Sequence, residues 1–180
     1  MSDASSATER VWLIGMMGSG KSTVGRMLAE MTGRPFTDTD RLIEQERGAT
    51  VAELFERDGE PAFRSYEKAA IEKVAATPGP WVVSVGGGAP LGEDNRVSMS
   101  SSGVVVWLRA SAPTLVARLG RGEGRPVLAR GAEEGLRARV DRLLAEREPV
   151  YSSLAAIVVD VDHCGSGQVA RAVMRRLADW

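Results

Sequence analysis

Residues 15–22 constrain this chain more than any other segment, because they read Gly-Met-Met-Gly-Ser-Gly-Lys-Ser. This matches the phosphate-binding pattern G-x-x-x-x-G-K-[ST], with an apolar strand pattern at 11–14 before it and a helix pattern at 22–32 after it. Glycines let backbone N–H groups turn toward phosphate oxygens, and the start of a helix adds partial positive charge. We therefore predict a nucleoside triphosphate site at the first strand–helix turn.

Two side chains of this loop carry the predicted chemistry. Lys21 neutralises the β- and γ-phosphates, and the Ser22 hydroxyl coordinates Mg²⁺. Lys21 is one of only 3 lysines, against 20 arginines, so its place in the loop is distinctive. The residues predicted here to bind ATP are Gly15, Gly18, Ser19, Gly20, Lys21, Ser22 and Thr23.

Apolar strand patterns alternate with helix patterns along the rest of the chain. We predict further strands at 34–39, 81–85, 104–108 and 156–161, and further helices at 40–47, from 50 onward, 61–76, 111–119, 132–147 and 167–178. This alternation predicts an α/β fold of three α/β/α layers around a central, mostly five-stranded parallel sheet. Helix 22–32 is expected to turn Val24, Met27, Leu28 and Met31 inward.

Residues 120–131 interrupt the pattern, because glycines and arginines alternate there. Such a segment is too polar to pack and too rich in glycine for a helix, so we predict a mobile flap.

The acid that steers the metal has two candidate positions. Asp38 and Asp40 follow the second strand closely, near the first strand–helix turn, and can serve one metal and one acceptor hydroxyl. Asp160 ends the last strand, which tends to lie away from that turn in a doubly wound sheet. We favour Asp38 and Asp40.

Gly86, Gly87 and Gly88 follow the strand predicted at 81–85 and admit three interpretations. They can form a backbone nest for an anion, let a substrate approach the backbone closely, or make a tight turn.

Composition argues against several classes of protein. The 180 residues suit one domain, and 23 basic against 24 acidic residues give a net charge of −1, which disfavours nucleic acid as a partner. A single cysteine precludes an internal disulfide framework, and the chain holds no apolar run long enough to span a membrane. We expect a monomer in the cytoplasm, with a disordered lead-in at 1–9.

The rest of the sequence narrows the nucleotide-binding classes. A GTPase would need an Asn-Lys-x-Asp stretch, but the lone Asn95 precedes Arg96. Motor and AAA-type ATPases need a longer chain, so small-molecule and nucleotide kinases remain. His163 and Cys164 are too few to form a zinc site.

Six motifs stand in one order and together resemble the shikimate kinase family over about residues 9–178. They are the loop at 15–22, Asp38-Thr-Asp40, Phe55 with Phe63-Arg64, Gly86-Gly87-Gly88, Arg125-Pro-Val-Leu128 and Glu146-Arg-Glu-Pro-Val-Tyr151. The resemblance implies a P-loop fold like that of nucleoside monophosphate kinases, with a mobile lid. It implies transfer of the ATP γ-phosphoryl group to the 3-hydroxyl of shikimate, with Mg²⁺ as the cofactor, in aromatic amino acid biosynthesis.

The resemblance also implies a role for individual residues. Asp40 contacts the ring hydroxyls as base or orienter, and Asp38 holds Mg²⁺ through water. Arg64 and Arg147 clamp the shikimate carboxylate, as planar guanidinium groups do well. Residues implied to line the acceptor pocket are Phe55, Phe63, Gly86, Gly87 and Gly88, in an acceptor-binding region at about 38–76. Those implied at the nucleotide are Arg118 against adenine and Arg125 over the phosphates, in a lid at about 118–131.

Two other functions stay open. A related kinase of the same architecture would act on gluconate or on a cyclitol like shikimate. A non-catalytic nucleotide-binding protein would use closure as a signal, although it would often have lost Lys21, Asp40 or Arg125.

Overall fold

The computed structural model describes residues 10–120 and 135–180, and it contains a five-stranded, all-parallel sheet with strand order β2-β3-β1-β4-β5. The strands are β1 (Arg10–Ile14), β2 (Phe36–Asp38), β3 (Val82–Ser84), β4 (Gly103–Arg109) and β5 (Ile157–Asp160). The predicted parallel sheet is confirmed. The second, third and fifth strands are one or two residues shorter at each end than the patterns suggested, and Thr39, predicted as strand, begins a helix instead.

Helices flank the sheet. They are α1 (Lys21–Thr32), α2 (Thr39–Arg47), α3 (Val51–Ala76), α4 (Glu93–Ser102), α5 (Ala112–Leu119), α6 (Leu136–Leu154) and α7 (Ser166–Ala178), with a 3₁₀ turn at Ala89–Leu91. Helix α3 has a kink at Gly59, where φ is 82°, so its halves match the two helices predicted there. A capping box begins α3: Thr50 N–H donates to Glu53 at 2.7 Å, and Glu53 N–H donates to Thr50 at 3.3 Å.

The inward face of α1 differs from the prediction. Val24 and Leu28 are buried, but Met27 and Met31 are exposed, and Gly25 takes an inward position instead. A Cβ on Gly25 would meet the Phe36 ring at 2.5 Å and Leu13 at 3.1 Å. The lack of a side chain at Gly25 thus brings α1 close to the sheet, which a count of apolar residues does not detect.

Two further helix predictions were incomplete. Helix α4 was missed, because its sequence is mostly polar and Val97 is exposed while Met99 is buried. Helix α6 continues to Leu154 instead of ending at Arg147, with Pro149 inside it. Tyr151, which is fully buried against Trp107, lies in this extra stretch and anchors it.

The carboxyl ends of β1, β2 and β3 meet at one edge of the sheet. Asp38 pairs with Ser84 in register, and Leu13 pairs with Ser84 from the other side. The loops after β1 and β3 and the start of α2 therefore converge there, at the place where open α/β sheets bind ligands. Of the helices in the described parts of the chain, none has the length and apolar character needed to span a bilayer.

Candidate active site

The phosphate loop follows β1 directly. Gly15, Gly18 and Gly20 all have positive φ, at 145°, 81° and 94°. A Cβ on Gly15 would lie 2.6 Å from the Leu108 carbonyl oxygen, and one on Gly18 would lie 3.2 Å from Leu119. Both conformation and space therefore require glycine, as the sequence pattern predicts.

Lys21 opens α1 and is buried against its own loop. Its Nζ donates to the carbonyls of Gly15 at 2.8 Å and Met16 at 3.0 Å. The ammonium group thus lies across the loop, where its charge can be shared with phosphate oxygens. Ser19 is buried beside it, while Thr23 is exposed on α1.

Ser22 and Asp38 are hydrogen-bonded to each other. The Ser22 Oγ donates to Asp38 Oδ2 at 2.6 Å and lies 3.4 Å from Ser84 Oγ. Asp38 also caps α2, since its Oδ1 accepts from the Asp40 N–H at 3.1 Å. Two hydroxyls and one carboxylate thus gather beside the phosphate loop, and they are the hard oxygen donors that Mg²⁺ prefers.

Asp160, the other candidate acid, lies at the edge strand β5. It pairs with Arg109 at 2.5 and 2.9 Å, and about two thirds of its side chain is exposed. It therefore acts as one half of a surface ion pair, away from the loop, as the topology argument predicted.

Arg118 connects the phosphate loop to the segment after β5. Its Nη1 donates to the carbonyls of Gly18 at 3.1 Å and Ser19 at 3.2 Å, and its Nη2 donates to Val161 at 3.2 Å. Three carbonyls thus hold the guanidinium plane at the edge of the loop. Arg125, the other arginine predicted at the nucleotide, lies outside the described residues, as does most of the predicted lid.

Asp40 lies on the first turn of α2, opposite a buried glutamate. A Cβ on Gly86 would meet Asp40 Oδ1 at 2.8 Å and Glu67 Oε1 at 2.7 Å, so both carboxylates reach this glycine. Burial raises the pKa of Glu67 to about 7; Arg64 and Arg147 oppose this rise and Asp40 adds to it. Two carboxylates thus share one pocket with two arginines.

Arg64 contacts the third glycine of the triplet. Its Nη1 donates to Glu67 at 2.5 Å and its Nη2 donates to Glu60 at 2.8 Å. A Cβ on Gly88 would collide with the guanidinium nitrogens, so the arginine lies directly on this backbone. Burial lowers the pKa of Arg64, but the two glutamates outweigh it and leave the pKa above its ordinary value.

Arg147 approaches the middle glycine from α6. It is 4% exposed, and a Cβ on Gly87 would lie 3.2 Å from its Nη1 and 3.3 Å from the Gly15 carbonyl oxygen. Arg147 also contacts the phosphate loop directly, since its Nη1 donates to Met16 Sδ at 3.9 Å. The Gly87 carbonyl accepts from the Tyr151 hydroxyl at 2.5 Å, and burial raises the pKa of that phenol to about 12.

The backbone geometry excludes one interpretation of the glycine triplet and supports another. None of Gly86, Gly87 and Gly88 has positive φ, so they do not alternate between right- and left-handed conformations as an anion-binding nest requires. They form a tight turn, since the Ala89 N–H donates to the Gly86 carbonyl at 3.1 Å. Charged side chains of the pocket lie against all three glycines and leave little space for a Cβ.

Phe55 and Phe63 belong to a small second core. Their rings lie 4.3 Å apart, and the side chains are 6% and 2% exposed. The Arg64 guanidinium lies 5.9 Å from the Phe55 ring centre, so the pair borders the charged pocket while serving as core.

Sequence reasoning missed two side chains of this site, Glu67 and Ser84. It named Tyr151 as the end of a motif but gave it no role. A signal for Glu67 was present, because Phe63, Ala70 and Ile71 place position 67 on the buried face of α3. Ser84 has no such signal, since its partner Ser22 comes from another element.

Comparison with known proteins agrees with this geometry. The family model described as shikimate kinase matches residues 17–178. The shikimate kinase of Symbiobacterium thermophilum is 41% identical over 170 residues, which cover 93% of this chain and 95% of that protein. That of Pseudomonas syringae pv. syringae is 41% identical over 168 residues, with the same two shares covered.

Solved structures give the same result. The structure of shikimate kinase from Acinetobacter baumannii in complex with shikimate superposes with a TM-score of 0.90 and 31% identity, covering 97% of this chain and 95% of that one. A gluconokinase from Sinorhizobium meliloti reaches a TM-score of 0.61 at 20% identity, covering 96% and 93% of the two chains, and shares the fold alone. From its sequence match and its relatives, this chain belongs to the shikimate kinase family.

Proposed function

We propose that this protein is a shikimate kinase, which transfers the γ-phosphoryl group of ATP to the 3-hydroxyl of shikimate and releases ADP and shikimate 3-phosphate. The observation that carries this proposal is the position of Arg147. Its buried guanidinium contacts Met16 of the phosphate loop and lies in a pocket that also holds Asp40 and Arg64. Such a pocket suits a small acceptor with one carboxylate and several hydroxyls. Family membership and the likeness to a shikimate-bound structure support the same substrate.

On the nucleotide side, the loop glycines would present N–H groups to the phosphates of ATP. Lys21 would move from its carbonyl partners toward the β- and γ-phosphates, and Arg118 would lie beside the base. Gly15, Gly18, Ser19, Gly20, Ser22 and Thr23 complete the proposed ATP-binding set.

A family of ATP-using kinases requires a divalent metal, and we propose Mg²⁺ at Ser22 and Asp38. The oxygen donors fit this ion, and the described residues contain no group of three acidic, His or Cys side chains that would hold a metal alone. A site with so few protein ligands suits an ion held mainly by substrate phosphates and water. When bound, Mg²⁺ would neutralise and orient the phosphate oxygens.

The metal proposal is tested with Asp38→Asn. We expect the variant to need a higher Mg²⁺ concentration, both for turnover and for calorimetric binding of a non-hydrolysable ATP analogue. Asp160→Asn is the matched control, because it removes an exposed carboxylate from the end of the edge strand β5, where it pairs with Arg109. An unchanged Mg²⁺ requirement in Asp38→Asn would contradict the assignment.

On the acceptor side, Asp40 would accept a hydrogen bond from the attacking hydroxyl and receive its proton. Arg64 and Arg147 would hold the carboxylate, and Gly86, Gly87 and Gly88 would let the ring approach the backbone. Phe55 and Phe63 would form the apolar border. The family resemblance alone supports three further assignments: the acceptor-binding region at 38–76, the lid at 118–131 and the phosphate contact of Arg125. Composition and the residue pattern support a cytoplasmic monomer with a lead-in at 1–9.

The decisive experiment measures ADP release with ATP, Mg²⁺ and a panel of acceptors: shikimate, gluconate and cyclitols related to shikimate. We expect turnover with shikimate, and phosphorus NMR of the product should place the phosphate on the 3-hydroxyl. Turnover with gluconate but none with shikimate would favour the alternative kinase. Binding of ATP with no product from any acceptor would favour a non-catalytic protein.

A further inference from the structure

The guanidinium of Arg64 has two carboxylate partners that differ sharply in exposure. Nη1 donates to Glu67, whose side chain is 2% exposed, and Nη2 donates to Glu60, whose side chain is 53% exposed. The arginine itself is 31% exposed and lies on Gly88. The Glu67 bond is thus enclosed by protein, whereas the Glu60 bond faces solvent.

The two bonds also differ in how firmly the backbone holds them. Glu67 lies in the middle of α3, on its buried face. Glu60 directly follows Gly59, where the backbone leaves helical geometry, and it is the first residue of the second half of the helix. An exposed pair four residues apart contributes little to stability, because solvent screens it and ordering two long side chains costs entropy.

An anionic acceptor needs the same nitrogen that Glu60 occupies. A carboxylate binds a guanidinium best through two parallel N–H groups, which come from Nη2 together with either Nη1 or Nε. Both arrangements use Nη2, which now donates to Glu60, whereas Nη1 donates to the buried Glu67. A second nearby negative charge also repels the incoming anion.

We propose that Glu60 is a displaceable counter-ion of Arg64: it occupies Nη2 in the free protein and yields that position to the carboxylate of the acceptor. Glu67 stays in place and orients the guanidinium throughout. This rests on the proposed function, and it makes Glu60 a residue that sets acceptor affinity without touching the reacting hydroxyl.

The test is Glu60→Gln, which keeps the size of the side chain and removes its charge. We expect KM for shikimate to fall about twofold to fivefold, the size of a lost exposed ion pair, while kcat and KM for ATP stay unchanged. Thermal unfolding of the variant should match the wild type, since the side chain is half exposed.

Three controls distinguish displacement of Glu60 from Arg64 from a general effect of removing one negative charge. Glu56→Gln removes the same charge from an exposed position one turn earlier on α3 and should leave KM unchanged. In an Arg64→Ala background, Glu60→Gln should have no further effect. With the methyl ester of shikimate, whose carboxyl group is uncharged, wild type and Glu60→Gln should have equal KM.

An unchanged or higher KM for shikimate in Glu60→Gln would overturn the proposal, as would an equal fall in Glu56→Gln or with the ester. Failure of the proposed function is a separate result, namely no wild-type turnover of shikimate. If the panel identifies another acceptor with a carboxylate, such as gluconate, the proposal is tested by the ratio of KM for that compound between wild type and Glu60→Gln. An acceptor without a carboxylate, or no binding of shikimate or gluconate by calorimetry, would overturn the proposal.

Discussion

The two halves of the site are built in different ways. The phosphate loop comes from eight contiguous residues, and its shape follows from three glycines with positive φ. The acceptor pocket draws on four separate segments: α2 with Asp40, α3 with Arg64, the loop after β3, and α6 with Arg147. The two halves meet at Gly87, where an added Cβ would contact both Arg147 and the Gly15 carbonyl.

The electrostatics of the halves differ as well. Lys21 is held by two backbone carbonyls, which carry only partial charge. The acceptor pocket instead gathers acidic and basic side chains, including a glutamate that is 1% exposed. Backbone dipoles of a contiguous loop can be buried at a small desolvation cost. Charged side chains from distant elements must instead pair with opposite charges to remain buried. Substitutions in the two halves should therefore affect different kinetic constants.

The largest effect is expected at Asp40. Asp40→Asn should lower kcat about 100-fold or more, because the amide cannot accept the hydroxyl proton, while ATP binding stays nearly intact. The measurements are steady-state turnover and calorimetry with an ATP analogue. A variant that retained kcat within about threefold of wild type would refute the role of Asp40.

Next come the two arginines. Arg64→Ala and Arg147→Ala should each raise KM for shikimate roughly 10- to 150-fold, since each removes charge-assisted hydrogen bonds of about 1.5–3 kcal/mol. Arg147→Lys should recover only part of the loss, because lysine lacks the planar fork. If KM for ATP rose instead, the assignment of these arginines to the acceptor half would be wrong.

A pair of glycine substitutions compares the halves directly. Gly15→Ala should raise KM for ATP and Gly88→Ala should raise KM for shikimate, each about tenfold, because the added Cβ collides with Leu108 or with Arg64. Gly87→Ala should affect both constants, since Gly87 borders both halves. If Gly15→Ala raised KM for shikimate, or Gly88→Ala raised KM for ATP, the two halves would not be separable.

The smallest expected effect concerns pH and Glu67. Its pKa in the folded protein is about 7, above the ordinary value of 4.5, so the folded state holds its proton more tightly than the unfolded chain. The stability contribution is therefore full below about pH 4.5 and is lost as pH rises through about 7. The free energy of unfolding of the wild type should therefore fall between pH 5 and pH 8. In Glu67→Gln this fall should be smaller, by on the order of 1 kcal/mol.

Urea unfolding of both proteins at several pH values measures this difference. Glu56→Gln serves as control, because it removes an exposed glutamate from the same helix. Identical pH profiles for wild type and Glu67→Gln would contradict the raised pKa of this carboxyl group.

Much of the fold follows from local sequence. The alternation of apolar strands and helices predicted the parallel sheet. The helices predicted at 40–47 and from 50 onward agree with the observed caps at Gly48 and Thr50. Helix α4 escaped detection because a polar sequence became helical around a few buried groups. One is Asn95, whose amide donates to the Ala89 carbonyl at 2.8 Å. A periodic pattern of apolar residues cannot predict such a contact.

The sequence by itself determined the phosphate loop, since covalent neighbours and the conformational freedom of glycine decide its shape. Tertiary structure alone decided which face of α1 packs inward, that Glu67 is buried beside Asp40, and that the Tyr151 hydroxyl holds the carbonyl of Gly87. These outcomes depend on close approach and on the loss of water around charges. Both are properties of elements that meet in space, so they are absent from the order of residues along the chain.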